Sequence, residues 1–133
     1  MPDTLESIVK WQGEGRVLLV DDEEEVRSIG TEFLQLLGFT VVTAADGDEA
    51  VKLFAEEGGF SFVILDLTMP HMDGEQCYRA LRAMEPGVKV IISSGYSEDE
   101  VARRFTGDAV ARFMQKPYSF GVLCEVVKGL FAG

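Results

Sequence analysis

Apolar runs of about four to six residues alternate along the chain with stretches of about ten to fifteen in which apolar positions recur every third or fourth residue. The first pattern suits buried strands, the second amphipathic helices. The spacing predicts strands over 16–20, 40–44, 61–65, 88–93 and 110–114, the third and fourth apolar on both faces, as in a sheet covered on two sides. It predicts helices over 24–37 with Val26, Ile29, Phe33 and Leu37 on one face, and over 47–57 with Ala50, Leu53 and Phe54. Three more follow: 74–84 with Cys77 and Leu81, 98–105 with Val101 and Phe105, and 119–131 with Val122, Val126, Val127 and Leu130. Asp46-x-x-Glu49 and Ser97-x-x-Glu100 have the form of capping boxes at helix starts, and Gly38 stands where the first helix needs a left-handed residue to end. Strict strand–helix alternation predicts an α/β fold with a doubly wound parallel sheet. Residues 1–15 lack this periodicity and end in Gly13-Glu14-Gly15. They read as a leader or linker in which Leu5, Ile8, Val9 and Trp11 could form a docking turn; residues 16–132 read as one domain.

The candidate chemistry lies where the strands stop. Val17-Leu18-Leu19-Val20 ends on Asp21-Asp22, Phe62-Val63-Ile64-Leu65 on Asp66, and Phe113-Met114-Gln115 on Lys116-Pro117. Ionised groups at the edge of an apolar interior need a partner or a metal. If the first and third strands are neighbours, as in a sheet of order 2-1-3-4-5, their three acids share the crevice at the carboxyl ends. Carboxylates about 4 Å apart repel by roughly 4 kcal/mol per pair at an effective dielectric near 20, so the cluster calls for a cation. An all-oxygen set favours magnesium over calcium where a phosphoryl group takes part. After the first strand the chain offers Asp21-Asp22-Glu23-Glu24-Glu25 rather than a glycine-rich cradle, which argues against nucleotide or flavin binding.

Composition narrows the field further. The chain has 133 residues, 12 Lys and Arg against 23 Asp and Glu, and a formal charge of −11, which disfavours nucleic acid and anionic lipid as direct partners. No run approaches the roughly 18 apolar residues of a membrane span, so a soluble, cytoplasmic protein is expected. Cys77 and Cys124 show no CxxC pattern and are expected to be reduced and buried. His71 has no second histidine or cysteine at ligand spacing and reads as an exposed loop residue.

Over roughly residues 16–132 the sequence resembles the receiver domain of bacterial two-component response regulators. The resemblance rests on Val20-Asp21-Asp22, on Asp66-Leu67-Thr68-Met69-Pro70 with Met72-Asp73-Gly74, on Ser94-Gly95, and on Lys116-Pro117. Each motif alone is weak; their order and spacing together are specific. The resemblance implies the flavodoxin-like strand order 2-1-3-4-5, with Asp66 as phosphoacceptor for a histidine kinase or histidine phosphotransfer protein. It implies that Asp22, Asp66 and the backbone carbonyl of Thr68 hold magnesium, with Asp21 acting mainly through water. It further implies that Lys116 and Ser94 bind phosphoryl oxygens, that Phe113 is the switch aromatic, and that a cis peptide precedes Pro117. Thr68 and Tyr96 border the expected path of a hydrolytic water and would tune phosphoryl lifetime.

Two rival functions remain: a binding-only receiver-like module, and an aspartate-nucleophile metal phosphatase. The second wants an Asp two residues after the nucleophile, where this chain has Thr68. The segments 94–97 and 113–118 also look similar to receivers of hybrid sensor histidine kinases, in which residues 1–15 would be linker. The expected state is a monomer or weak dimer, and the downstream protein target is not written in the residues.

Overall fold

The computed structural model describes residues 12–67, 69, 72, 74–104 and 111–131, with the backbone alone at 102, 104 and 111. The strands are β1 (Arg16–Val20), β2 (Thr40–Ala44), β3 (Phe60–Asp66), β4 (Val90–Ser94) and β5 (Ala111–Gln115). The helices are α1 (Glu24–Leu36), α2 (Gly47–Glu57), α3 (Gly74–Met84), α4 (Glu98–Arg104) and α5 (Phe120–Phe131). All pairings are parallel, and the sheet order is β2-β1-β3-β4-β5.

Side chains alternate across a strand, so each strand feeds two cores. Leu18, Val20, Val63, Leu65 and Ile92 pack with Ala50, Phe54, Cys77, Leu81 and Val101, under α2, α3 and α4. Val17, Leu19, Phe62, Ile64 and Ile91 pack with Leu34, Leu123, Val127 and Leu130, under α1 and α5. The chain therefore leaves β1 toward one face and β3 toward the other, and these neighbouring strands open a crevice between their carboxyl ends.

The predicted strands recur with small shifts, and the shifts matter. β3 and β4 run on to include Asp66 and Ser94, and Asp66 pairs with Ser93, so both polar residues sit in the sheet rather than beyond it. Two predicted helix faces are corrected at single positions, while Phe33, Leu37, Val126, Val127 and Leu130 lie on the core as expected. On α1 the buried residues are Gly30 and Leu34, while Ile29 is 48% exposed and Val26 and Phe33 are only partly covered. A Cβ at Gly30 would stand 2.8 Å from Leu19 Cδ2 and 3.0 Å from the Tyr118 hydroxyl. The helix thus turns its glycine, not its isoleucine, to the sheet. On α5 the buried residues are Leu123, Cys124, Val127 and Leu130, with Val122 exposed.

Helix ends follow local chemistry. Asp46 accepts the Glu49 amide at 2.8 Å, while Glu49 reaches back to the amide of Ala45, one residue before the cap. Ser97 accepts the Glu100 amide at 3.3 Å. Gly38, at φ +97°, ends α1, whose last carbonyls are taken from outside: Gly13 N–H donates to Leu37 O at 2.7 Å and Gln12 Nε2 to Leu36 O at 2.9 Å. Residues 12–15 therefore belong to the folded unit. The proposed docking turn of Leu5, Ile8, Val9 and Trp11 lies outside the described residues, as do Phe105, His71, Pro70, Asp73 and Thr68. Cys77 and Cys124 are buried and unbridged.

Candidate functional site

Asp21 follows β1, held in line by its own amide donating to Ala44 O at 3.1 Å. Its Oδ1 accepts the Glu23 amide at 2.9 Å, and Arg27 donates to its carbonyl at 2.7 Å. Its Oδ2 is buried and meets the Lys116 ammonium at 3.0 Å, an ion-pair distance without hydrogen-bond alignment. Asp66 ends β3 and is 3% exposed. A Cβ on Gly74 would come within 2.5 Å of Asp66 O and Leu67 Cα, so the first residue of α3 can lie on the end of β3 only because it is glycine.

Carboxylate oxygens of Asp21, Asp22 and Asp66 lie within 4.8 Å of one another. Asp22 is exposed and makes no hydrogen bond or ion pair among the described residues. The donor set is all oxygen, closely spaced and open on one side, which fits a hard divalent cation that keeps some water. Burial raises the Asp21 carboxyl above the ordinary aspartate range, against the lowering effect of the Glu23 amide and Lys116. Charge is therefore held here at a cost, with room for more positive charge than one lysine supplies.

Lys116 follows β5 and is anchored by its amide donating to Ser94 O at 2.8 Å. The Lys116–Pro117 peptide is cis. The ammonium lies 3.0 Å from Asp21 Oδ2, 3.0 Å from Glu23 Oε1 and 3.6 Å from Asp66 Oδ2. Burial alone would lower its pKa, but the bond to Glu23, the close contact with Asp21 and the charge of Asp66 leave it well above the ordinary lysine value. It stays charged throughout the physiological range.

Ser94 is buried, and its Oγ accepts the Tyr96 amide at 2.9 Å. This local turn uses the oxygen as an acceptor and leaves the hydroxyl proton available to donate. Tyr96 is 41% exposed. Phe113 is partly buried against the core beneath α3 and α4. The sequence thus pointed to residues that the fold gathers at one rim: Asp21, Asp22, Asp66, Ser94 and Lys116. Thr68 lies outside the described residues.

Two features went unread. Glu23 reaches Lys116 across 93 residues of sequence, yet in the acidic run 21–25 it looks like any first-turn helix acid. A cavity of about 560 Å³ opens beside Asp66 between α1 and the β5–α5 loop, with Val26, Ile29, Pro117 and Tyr118 as its apolar wall. The Tyr118 hydroxyl is buried without a hydrogen-bond partner among the described residues, and burial, with the nearby Asp21 charge, pushes its pKa up to about 12. The signal for that wall was Ile29, read as core.

A parallel doubly wound sheet with an acidic crevice facing one lysine defines a class of protein, and known proteins of that class match this chain. The family model for the response regulator receiver domain matches residues 17–128. The sensor kinase CckA of Brucella abortus is 42% identical over 125 residues, which cover 93% of this chain and 13% of that protein. The transcriptional regulatory protein PrrA of Mycobacterium tuberculosis is 38% identical over 117 residues, covering 86% of this chain and 49% of that one. Among solved structures, the response regulator TrrA of Thermotoga maritima, in complex with Mg²⁺ and beryllium fluoride, superposes with a TM-score of 0.76 at 34% identity, covering 86% of this chain and 97% of its own. The receiver domain of the hybrid histidine kinase CckA gives a TM-score of 0.75 at 32% identity, covering 87% and 98%. The chain belongs to the response regulator receiver domain family. It is a receiver domain of the kind found in two-component response regulators, and it spans about half or less of the curated relatives named here.

Proposed function

We propose that Asp66 accepts a phosphoryl group from the phosphohistidine of a histidine kinase or histidine phosphotransfer protein. The observation that carries this reading is a carboxylate 3% exposed at a strand end, 3.6 Å from an ammonium and beside two further carboxylates. An Asp66 oxygen bonds to phosphorus as the bond from phosphorus to the donor's imidazole nitrogen breaks, and the electron pair leaves with the imidazole. Asp22 and Asp66, with Asp21 behind them and the Thr68 carbonyl, would hold a magnesium ion, which supplies charge to offset that of the transferred group. Lys116 neutralises one phosphoryl oxygen and the Ser94 hydroxyl donates to another, so the work is positioning and charge neutralisation. Drawing Ser94 and Lys116 inward would change the packing of Phe113 and with it an output surface. Thr68 and Tyr96 would set how readily water reaches the acyl phosphate.

In this reading the chain promotes its own phosphorylation and dephosphorylation and is no conventional enzyme. Residues 16–132 form the receiver and 1–15 a leader or linker whose last residues, 12–15, bond to the domain, in a cytoplasmic regulator or the end of a hybrid kinase. No described helix is long and apolar enough to cross a membrane. The test is incubation with magnesium and acetyl phosphate followed by intact mass, with Asp66→Asn and magnesium-free controls. One added phosphoryl group, absent in both controls, supports the reading. No adduct with acetyl phosphate or with a phosphohistidine donor would leave a binding-only module, and multiple-turnover release of phosphate from unrelated esters would indicate a phosphatase.

A further inference from the structure

Lys116 stands closer to two other carboxylates than to the proposed phosphoacceptor. Its ammonium is 3.0 Å from Asp21 and from Glu23, against 3.6 Å from Asp66. Asp21 is buried and fixed, but Glu23 is 60% exposed and lies at the mouth of the crevice. Its backbone is the extended N-cap of α1, at φ −94° and ψ 119°, and its side chain makes no capping bond to the helix. Glutamate is not among the side chains that favour capping, so its carboxylate is free to reach another partner. This one turns to the lysine, held in place by its own amide on Asp21 Oδ1. Glu23 also lines the cavity beside Asp66, the open side from which a phosphoryl donor arrives.

We propose that Glu23 is a positioning residue: it occupies the Lys116 ammonium in the resting protein and competes for it with the incoming phosphoryl oxygens. An ammonium has three donors; here one is hydrogen-bonded to Glu23, and the charge is shared with Asp21 at 3.0 Å and Asp66 at 3.6 Å. A phosphoryl group arriving at Asp66 must draw the ammonium from Glu23 and tolerate a second negative charge at the rim. The pair therefore slows modification of Asp66 and, by the same competition, shortens the life of the product. This inference rests on Asp66 being the phosphoacceptor.

The test is the initial rate of Asp66 modification by acetyl phosphate, read by intact mass with the full chain. The phosphorus–oxygen bond to acetate breaks as the bond to Asp66 forms, acetate leaves as the carboxylate, and no proton is needed. Each variant is measured at its own saturating magnesium. Glu23→Gln, which keeps the shape and removes the charge, is expected to react about threefold to fivefold faster, the size of effect a partly exposed ion pair supports, and to lose its phosphoryl group more slowly. Glu23→Asp, which keeps the charge but is one methylene shorter, should fall between the parent and Glu23→Gln. In a Lys116→Met background the gain from Glu23→Gln should vanish, which a merely structural role would not produce. Should Lys116→Met fail to fold, raised ionic strength serves instead, since screening should narrow the gap between parent and Glu23→Gln. A Glu23→Gln rate equal to or below the parent's, a gain that survives without Lys116, or a gap that salt leaves unchanged would overturn the proposal while leaving Asp66 as acceptor. A parent chain that takes no phosphoryl group, or takes it equally as Asp66→Asn, would remove the reading of Asp66 and this inference with it.

Discussion

The two ends of β1 and β3 handle charge and packing in opposite ways. At their amino ends, the Arg16 guanidinium lies 4.6 Å over the Phe60 ring, donates to Gly58 O at 2.9 Å and pairs with Glu57. Beside it Phe62 meets Phe39 edge-on at 5.2 Å and Phe131 at 5.9 Å. There the cation has partners on several sides, and Phe39 and Phe62 are buried, with Phe131 left 41% exposed at the edge. At the carboxyl ends of the same strands, Asp21, Glu23 and Asp66 crowd round Lys116, Asp22 lies beside Asp21 and Asp66, and one side opens to a cavity. A fold can hold such an imbalance only where the opposite end is well packed. The amino end supplies stability, and the carboxyl end uses some of it to keep charge ready for a ligand.

The sharpest way to break this contrast is to empty the closed end. Phe62 has no exposed surface and joins the aromatic contacts with the core under α1 and α5. Phe62→Ala should destabilise the domain by about 3–5 kcal/mol, the usual range for deleting a buried aromatic ring, in urea unfolding followed by circular dichroism. The fraction that remains folded should still take one phosphoryl group. Loss of reactivity in that folded fraction would mean the two ends are coupled, contrary to the comparison.

Adding charge at the open end comes next in size. Magnesium that binds the folded chain alone should stabilise it by about 2.7 kcal/mol at a hundredfold excess over its dissociation constant. Asp22→Asn should lose most of that gain, because Asp22 is the exposed member of the carboxylate set. Thermal melts of both proteins, with a monovalent salt control for the overall charge of −11, would decide it. Equal stabilisation of the two would show that the ion acts on the surface rather than in the crevice.

The contrast also explains what was legible in the sequence. The strands were legible because buried parallel strands are continuous apolar runs, and the crevice residues because charge at the end of such a run is rare enough to stand out. The resemblance carried the strand order and the residue roles. The rotation of α1 was not legible: Val26, Ile29 and Phe33 form an acceptable apolar stripe, and only the approach of Leu19 and Tyr118 to Gly30 shows why the helix turns past it. Glu23 was hidden for a similar reason. Its partner is set by where β5 delivers Lys116, a tertiary fact with no local signature.

A smaller effect should appear in the pH dependence of the metal-free protein. Burial makes the Asp21 carboxyl easier to protonate in the folded chain than in the unfolded one. Its contribution to stability is therefore full below the ordinary aspartate pKa, near 3.8, and is lost as pH rises through its higher folded value. Asp21→Asn lacks this term. Urea midpoints should give a stability difference, parent minus Asp21→Asn, that grows as pH falls through that window. A difference that shrinks instead would mean the Lys116 pair outweighs burial.

The smallest expected change sets one exposed acid at each end against the other. Glu57 is 40% exposed and pairs with Arg16, which is 34% exposed and keeps the Phe60 ring and the Gly58 carbonyl if the acid is removed. Glu57→Gln should therefore cost no more than about 0.2–1 kcal/mol, as surface ion pairs do, and leave the rate of phosphoryl uptake unchanged. Glu23→Gln removes a carboxylate that is also exposed and also paired, with a similarly small effect on stability. It differs in what the released cation can do: Arg16 has nothing to bind but the protein, whereas Lys116 faces Asp66. A change in uptake rate for Glu23→Gln alone would tie the effect to that position; an equal change in both variants would reduce it to the loss of one negative charge from an acidic protein.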